Sequence, residues 1–211
     1  MKFSGVTDER VLDAVPEGGA AGFVVEVPAS PHNLSIEAAT HLAEQVPRGV
    51  EVWAVTADPP SDLIHRLFDE MGVDRIQVYG AVPEGLEFLE THHIVPSLPI
   101  HLVGSPAPLP RVPRPEEHPI LHLDAPGDPL ARGSPDVPDW EACRGLVDAH
   151  PGRKLVLAGG LSVANVAQAL EAVRPWGLDV SKGIEGPSGA LDPEAMKAFA
   201  AAVLSAEATL G

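Results

Sequence analysis

The feature that most constrains this chain is a rhythm. Eight short apolar runs recur along its 211 residues, and most are followed by a segment with helical spacing. The runs are Lys2–Val6, Ala21–Val27, Glu51–Ala57, Arg75–Gly80, Leu98–Gly104, Pro119–Asp124, Lys154–Ala158 and Gly177–Ser181. Most are continuous, as in GFVVEV and KLVLAG. Continuous runs suit parallel strands buried on both faces, whereas a half-exposed strand alternates polar with apolar residues.

Helical patterns fill the intervals. Ser35–Val46 opens on a capping serine and carries Ala38, Ala39, Leu42, Ala43 and Val46 on one face. Ser61–Met71 follows two prolines and stops at Gly72, a C-capping residue. Trp140–Ala149, Ser162–Val173 and Pro193–Ser205 read the same way, and Asp192-Pro193 supplies a cap followed by a first-turn proline.

Eight such units in a chain of this length predict a single (β/α)8 TIM barrel, an α/β fold, as one domain over residues 1–211. A doubly wound open sheet has no need of eight units in so short a chain. Two stretches break the pattern. Ser105–His118 holds five prolines and cannot be a full helix, and Ala125–Pro138 reads as a long loop after the sixth strand.

Charge narrows the partners. The formal net charge is −16, from 30 acidic and 14 basic residues. Nucleic acid and an anionic membrane surface both require a positive face, so neither is expected as a partner. A bound phosphate must then rely on local backbone amides against the overall field. The acidic surface would also suit a salt-rich cytoplasm. The single cysteine, Cys143, excludes an intrachain disulfide and a cysteine-based metal cage. Neither a signal peptide nor an apolar run of membrane-spanning length is visible, so a cytoplasmic location is expected.

Barrel chemistry sits at the C-terminal ends of the strands. The seventh run ends Gly159-Gly160-Leu161-Ser162, and the eighth ends in Ser181-Lys182-Gly183. Glycines let backbone amides approach an anion closely, and a helix N-terminus adds a favourable dipole. The two loops together predict a phosphate site formed by Gly159, Gly160, Ser181, Lys182 and Gly183.

The segment AGGLSVANVAQALEAVRPWGLDVSKGIEG resembles the C-terminal signature of the phosphoribosylanthranilate isomerase family. That signature has a Gly-Gly-Leu turn, an Asn-Val helix, an Arg-Pro pair and then Asp-Val-Ser-Ser-Gly-Val-Glu. Lys182 stands in place of its second serine. The resemblance extends to Lys2-Phe3-Ser4-Gly5-Val6-Thr7, against the family's Lys-Ile-Cys-Gly-Ile-Thr. It includes Pro28-Ala29-Ser30-Pro31-His32, against Pro-x-Ser-x-Arg, and Gln77-Val78-Tyr79-Gly80, against Gln-Leu-His-Gly. Leu123-Asp124 and Asp139-Trp140 also match.

The resemblance implies an Amadori rearrangement of a phosphorylated aminoaldose to a ketose in tryptophan biosynthesis, without cofactor or metal. The partner would be a small phosphorylated sugar, and the barrel a monomer or homodimer. It implies that Asp124 is the general acid that opens the furanose ring, and that Asp179 contacts substrate. Ser4 falls where the family has its cysteine general base, and His32 where an arginine recognises the anthranilate carboxylate. The family's Gly-rich lid after the sixth strand is reduced to Arg132-Gly133-Ser134-Pro135.

These departures have physical weight. A thiol has a reference pKa of about 8.5, whereas a serine hydroxyl forms no accessible anion near neutrality without a separate base. Histidine lacks the bidentate fork of arginine. Three readings follow: a working isomerase with another group assisting Ser4, a diverged barrel acting on or binding another sugar phosphate, and a non-catalytic phosphate-binding paralogue. His101 and His122 are candidates to assist Ser4. His92-His93 reads as a solvated loop in preference to a metal site, and Cys143 as a packed apolar residue.

Overall fold

The computed structural model describes residues 1–84, 86, 93–100, 111–125 and 137–210. Eight parallel strands close into a ring. They are β1 (Lys2–Ser4), β2 (Ala20–Val25), β3 (Glu51–Ala57), β4 (Arg75–Tyr79), β5 (Ile94–Pro99), β6 (Ile120–Asp124), β7 (Lys154–Leu157) and β8 (Gly177–Val180). Each pairs with its sequence neighbours, and the ring shuts where β1 meets both β2 and β8, with Ser4 opposite Gly22 and Lys2 opposite Asp179. A two-residue strand, Asn33–Leu34, adds to the outside of β2. The barrel predicted from the rhythm of runs is therefore present.

Described helices lie between the strands: α1 (Ile36–Ala43), α2 (Ser61–Asp69), α3 (Trp140–Ala149), α4 (Val166–Val173) and α5 (Pro193–Leu210). Ser35 caps α1 by accepting from the Ala38 amide, and Asp139 caps α3 by accepting from the Ala142 amide. The β1–β2 connection carries a 3₁₀ turn, Glu9–Ala14, capped by the Asp8 carboxylate, which accepts from the Arg10 amide.

Side-chain alternation sorts each strand into two faces. Phe3, Ala21, Phe23, Ala54, Ile76, Leu121, Leu123, Leu155 and Leu178 point outward and pack with helix residues such as Leu67, Leu170 and Phe199 in the main core. Phe3 meets Phe199 of α5 edge to face, with ring centroids 6.3 Å apart. The inward positions form layers. Ala20, Trp53, Val95, Ile120 and Val156 make one apolar layer. On the same strand faces, two residues beyond Val95 and Ile120, lie Ser97 and His122, with Gln77 and Asp179 hydrogen-bonded to His122 beside them. An apolar plug thus underlies a polar layer facing the C-terminal rim.

Two expectations are corrected. The fifth strand runs over Ile94–Pro99 in place of Leu98–Gly104. Pro96 sits inside the observed strand although proline gives no ladder donor. The ring admits both it and Pro99, with Pro96 opposite Val78 and Pro99 opposite Asp124. Residues 101–104 lie outside the described residues. Helix α4 begins at Val166, not Ser162. The Asn165 side chain explains why: it donates to the Gly160 carbonyl at 2.9 Å and accepts from the Ser162 amide at 2.8 Å, holding the first predicted turn as a loop.

Candidate active site

The polar layer opens into a pocket at the C-terminal rim, lined among others by Ser4, Tyr79, Asp124, Asp179, Gly160 and Gly183. Its lining divides between the Asp124 side, a β1–β8 side and a glycine-rich end.

On the acid side, Asp124 ends β6 and is 6% exposed. Its Oδ2 accepts from the Tyr79 hydroxyl at 2.6 Å, and its Oδ1 from the Ala125 amide at 2.7 Å. Burial, then the charge and hydrogen bond of Asp124, push the Tyr79 phenol well above its ordinary value. Tyr79 therefore stays protonated and holds Asp124 in place.

Across the barrel, Lys2 is 3% exposed and donates to three acceptors. These are Gln77 Oε1 at 2.7 Å, Asp179 Oδ2 at 2.7 Å and the Ser4 hydroxyl in a very short contact. Ser4 in turn donates to Asp179 Oδ1 at 2.7 Å. His122 Nε2 lies 2.9 Å from Asp179 Oδ2, and its Nδ1 lies 2.6 Å from Ser97 Oγ. A lone buried charge would be costly, but this set is paired and hydrogen-bonded throughout. Burial alone would raise the Asp179 carboxyl, yet Lys2 and His122 outweigh it and hold the group well below the usual carboxylate range. Burial lowers the Lys2 ammonium, opposed by Asp179. Gly22 makes room for the cluster, since a Cβ there would stand 2.8 Å from Ser4 Oγ.

The glycine-rich end is built from backbone. Gly159 and Gly160 have φ of +84° and +56°, conformations that favour glycine. Ser162 and Gly183 form an isolated bridge between the two loops, and a Cβ on Gly183 would fall 1.9 Å from the Leu161 carbonyl oxygen. Ser181, Lys182 and Gly183 line the same pocket as Gly159 and Gly160, so the structure brings the five predicted residues together. Gly159 also abuts the acid: a Cβ there would meet the Ala125 nitrogen at 2.8 Å and Asp124 Oδ1 at 3.0 Å. With α4 starting at Val166, the predicted helix dipole at Ser162 is moved away from the loop.

His32 lies at the pocket edge, its Nε2 3.1 Å from Glu185 Oε1, and its ring packs against Gly5. His122 points to the same side as Asp124, as expected from the two-residue interval, but it contacts Asp179 and Ser97 instead of Ser4. His101 and the Arg132–Pro135 segment lie outside the described residues, as does His92; His93 contacts the Asp74 carbonyl at 2.8 Å. Among the described residues no cluster of three or more His, Cys, Asp or Glu is placed to hold a metal. Cys143 is fully buried, and burial pushes its thiol up to about 12.

Sequence reading missed Lys2, Ser97 and the roles of Gln77 and Tyr79. The signal available was polar residues at alternate positions inside otherwise apolar strands, such as Gln77 in RIQVY and His122 in ILHLD.

Fold and site define a (β/α)8 barrel protein whose C-terminal rim joins two glycine turns to a buried aspartate and a buried carboxylate–lysine cluster. The comparisons say which. Residues 2–202 match the family model described as N-(5'phosphoribosyl)anthranilate (PRA) isomerase. A protein of Haloferax volcanii named N-(5'-phosphoribosyl)anthranilate isomerase is 34% identical over 212 residues, covering 98% of this chain and 93% of its own length. One of the same name from Azorhizobium caulinodans is 34% identical over 215 residues, covering 99% and 92%. The crystal structure of phosphoribosyl anthranilate isomerase from Thermus thermophilus superposes with a TM-score of 0.74 at 26% identity, covering 100% of this chain and 98% of that one. The chain belongs to the phosphoribosylanthranilate isomerase family.

Proposed function

We propose that this chain isomerises N-(5-phosphoribosyl)anthranilate to the 1-deoxyribulose ketose, as a single domain over residues 1–211. The observation that carries the reading is one pocket in which Asp124, the Ser4–Asp179 pair and the two glycine turns converge. The phosphate sits between Gly159-Gly160 and Ser181–Gly183, where amides and the Lys182 ammonium offset the protein's net negative charge. Asp124 donates a proton to the ring oxygen as the C1–O bond breaks and the amine nitrogen forms a Schiff base at C1. A base at the Ser4 end then removes the C2 proton, the bond pair forms C1=C2, and the imine pair returns to nitrogen. Proton return at C1 and loss of the enol proton complete the ketose. His32, paired with Glu185, lies at the edge where the anthranilate carboxylate is expected.

That pairing favours a second reading in which a sugar phosphate without a carboxylate occupies the site, because Glu185 places negative charge where the aryl acid would bind. One experiment separates them. The purified protein is given N-(5-phosphoribosyl)anthranilate, and its gene is placed in a tryptophan auxotroph lacking the isomerase. Turnover together with restored growth is the expected result. Absence of both, with the protein folded and phosphate still bound, selects the second reading.

For location, no helix among the described residues is long and apolar enough to cross a membrane. We place the enzyme in the cytoplasm as a monomer or homodimer, with a small phosphorylated sugar as its partner.

A further inference from the structure

We propose that Asp179 is the proton acceptor for the C2 proton, reached through the Ser4 hydroxyl, with Lys2 positioning both. The proposal deepens the isomerase reading and rests on it. The argument is an accounting of hydrogens and lone pairs. A hydroxyl has one hydrogen and two lone pairs. The Ser4 hydrogen goes to Asp179 Oδ1 at 2.7 Å, and one lone pair accepts from Lys2. The other is left for the pocket that Ser4 lines.

The partners leave little freedom elsewhere. All three Lys2 donors are used, on Ser4, Gln77 and Asp179. Asp179 Oδ2 is held from two sides, by Lys2 and by His122 at 2.9 Å. Ser4 therefore points a fixed hydroxyl from the substrate side to a buried carboxylate. A serine cannot serve as a base alone, but beside a separate acceptor it can pass a proton on.

The step balances. The C2–H bond of the Schiff base breaks, and its proton joins Ser4 Oγ as the Ser4 proton moves to Asp179 Oδ1. The bond pair becomes the C1=C2 π bond, and the imine π pair moves to nitrogen. A cationic iminium and a carboxylate become a neutral enamine and a neutral acid, a transient form that gives its proton up again because Lys2 and His122 favour the carboxylate. Lys2 stays charged and carries no proton in the step. Among the described residues, the polar and charged groups around Asp179 include His122 from β6, Gln77 and Tyr79 from β4, Lys2 from β1, the Met1 N-terminal ammonium and Asp124.

The test compares Ser4→Ala, Asp179→Asn, Ser4→Cys and the combinations of Asp179→Asn with each, using N-(5-phosphoribosyl)anthranilate with and without deuterium at C2. Wild-type turnover is the control: its absence refutes the isomerase reading itself. Given turnover, Ser4→Ala and Asp179→Asn should each lower kcat by about 10²–10⁴-fold with KM within several-fold. Each should raise the primary isotope effect, and together they should be no worse than either alone, as for groups that act as one unit. In the Ser4→Cys background a thiolate takes the proton directly. Asp179→Asn should there cost less than about tenfold. An equal loss in both backgrounds, or additive losses, means that Asp179 only shapes or binds, and overturns the proposal. Should Asp179→Asn not fold, because Lys2 is left unpaired, Ser4→Ala decides alone: it keeps the Lys2–Asp179 pair, and near wild-type kcat with an unchanged isotope effect sinks the relay.

Discussion

The two ends of the pocket are built by different means. The anion end consists of turns: Gly159-Gly160 and Ser181–Gly183, each within a few consecutive residues, joined by one bridge between Ser162 and Gly183. The acid–base end consists of side chains drawn from β1, β4, β5, β6 and β8, whose partners lie up to 177 positions apart in the chain. The first kind of site depends on backbone conformation and tolerates changes of exposed side chains. The second depends on ring closure, because Lys2 meets Asp179 only where β1 and β8 pair. The two meet at Gly159, which serves the turn and touches Asp124.

That comparison can be broken in graded ways. The largest effect is expected from Asp124→Asn, which removes the transferable proton while keeping size and most contacts. Turnover should fall by about 10²–10⁴-fold, and inorganic phosphate affinity, measured by calorimetry, should stay within a few-fold. Loss of phosphate binding in that variant would show that the two ends are not separable.

Gly159→Ala probes the junction. Its φ of +84° strains any side chain, and the new Cβ would press on Ala125 and Asp124. The strain is of order 1–3 kcal/mol. Thermal unfolding should show the destabilisation. Both kcat and phosphate affinity should drop, unlike in a variant confined to one end.

Tyr79→Phe acts on the acid side alone. It removes the 2.6 Å hydrogen bond to Asp124 Oδ2. A hydrogen bond is worth about 0.5–1.5 kcal/mol net, so kcat should fall by roughly two- to tenfold with little change in KM. Retained kcat would remove Tyr79 from the positioning of the acid.

Lys182→Ala should be the mildest. The side chain is exposed and the solvent screens it, so phosphate affinity should weaken only a few-fold and less at high salt. A larger loss would mean that Lys182, in place of a serine, carries the anion site and the glycine amides do not.

Much of this protein was legible in its sequence. The barrel follows from eight continuous apolar runs, because a strand covered on both faces must be apolar on both. The two glycine turns follow from glycines and their neighbours, because a turn is decided by residues adjacent in the chain. Matching motifs at strand ends singled out Asp124 and Ser4, and both line the pocket. The fifth strand was misplaced because a proline costs one donor, and only the closed ring shows which registers leave that donor unneeded.

What Ser4 can do was decided by tertiary structure alone. In the sequence it is a hydroxyl where a thiol is expected, with no base nearby. In the barrel it lies between Lys2 and Asp179, with His122 and Gln77 completing the cluster. No local pattern encodes that arrangement, since strand alternation sets which face a residue takes but not which residues face it across a ring. Closure of β1 on β8 makes those contacts, and burial in the ring makes them strong by removing the water that would otherwise screen each charge.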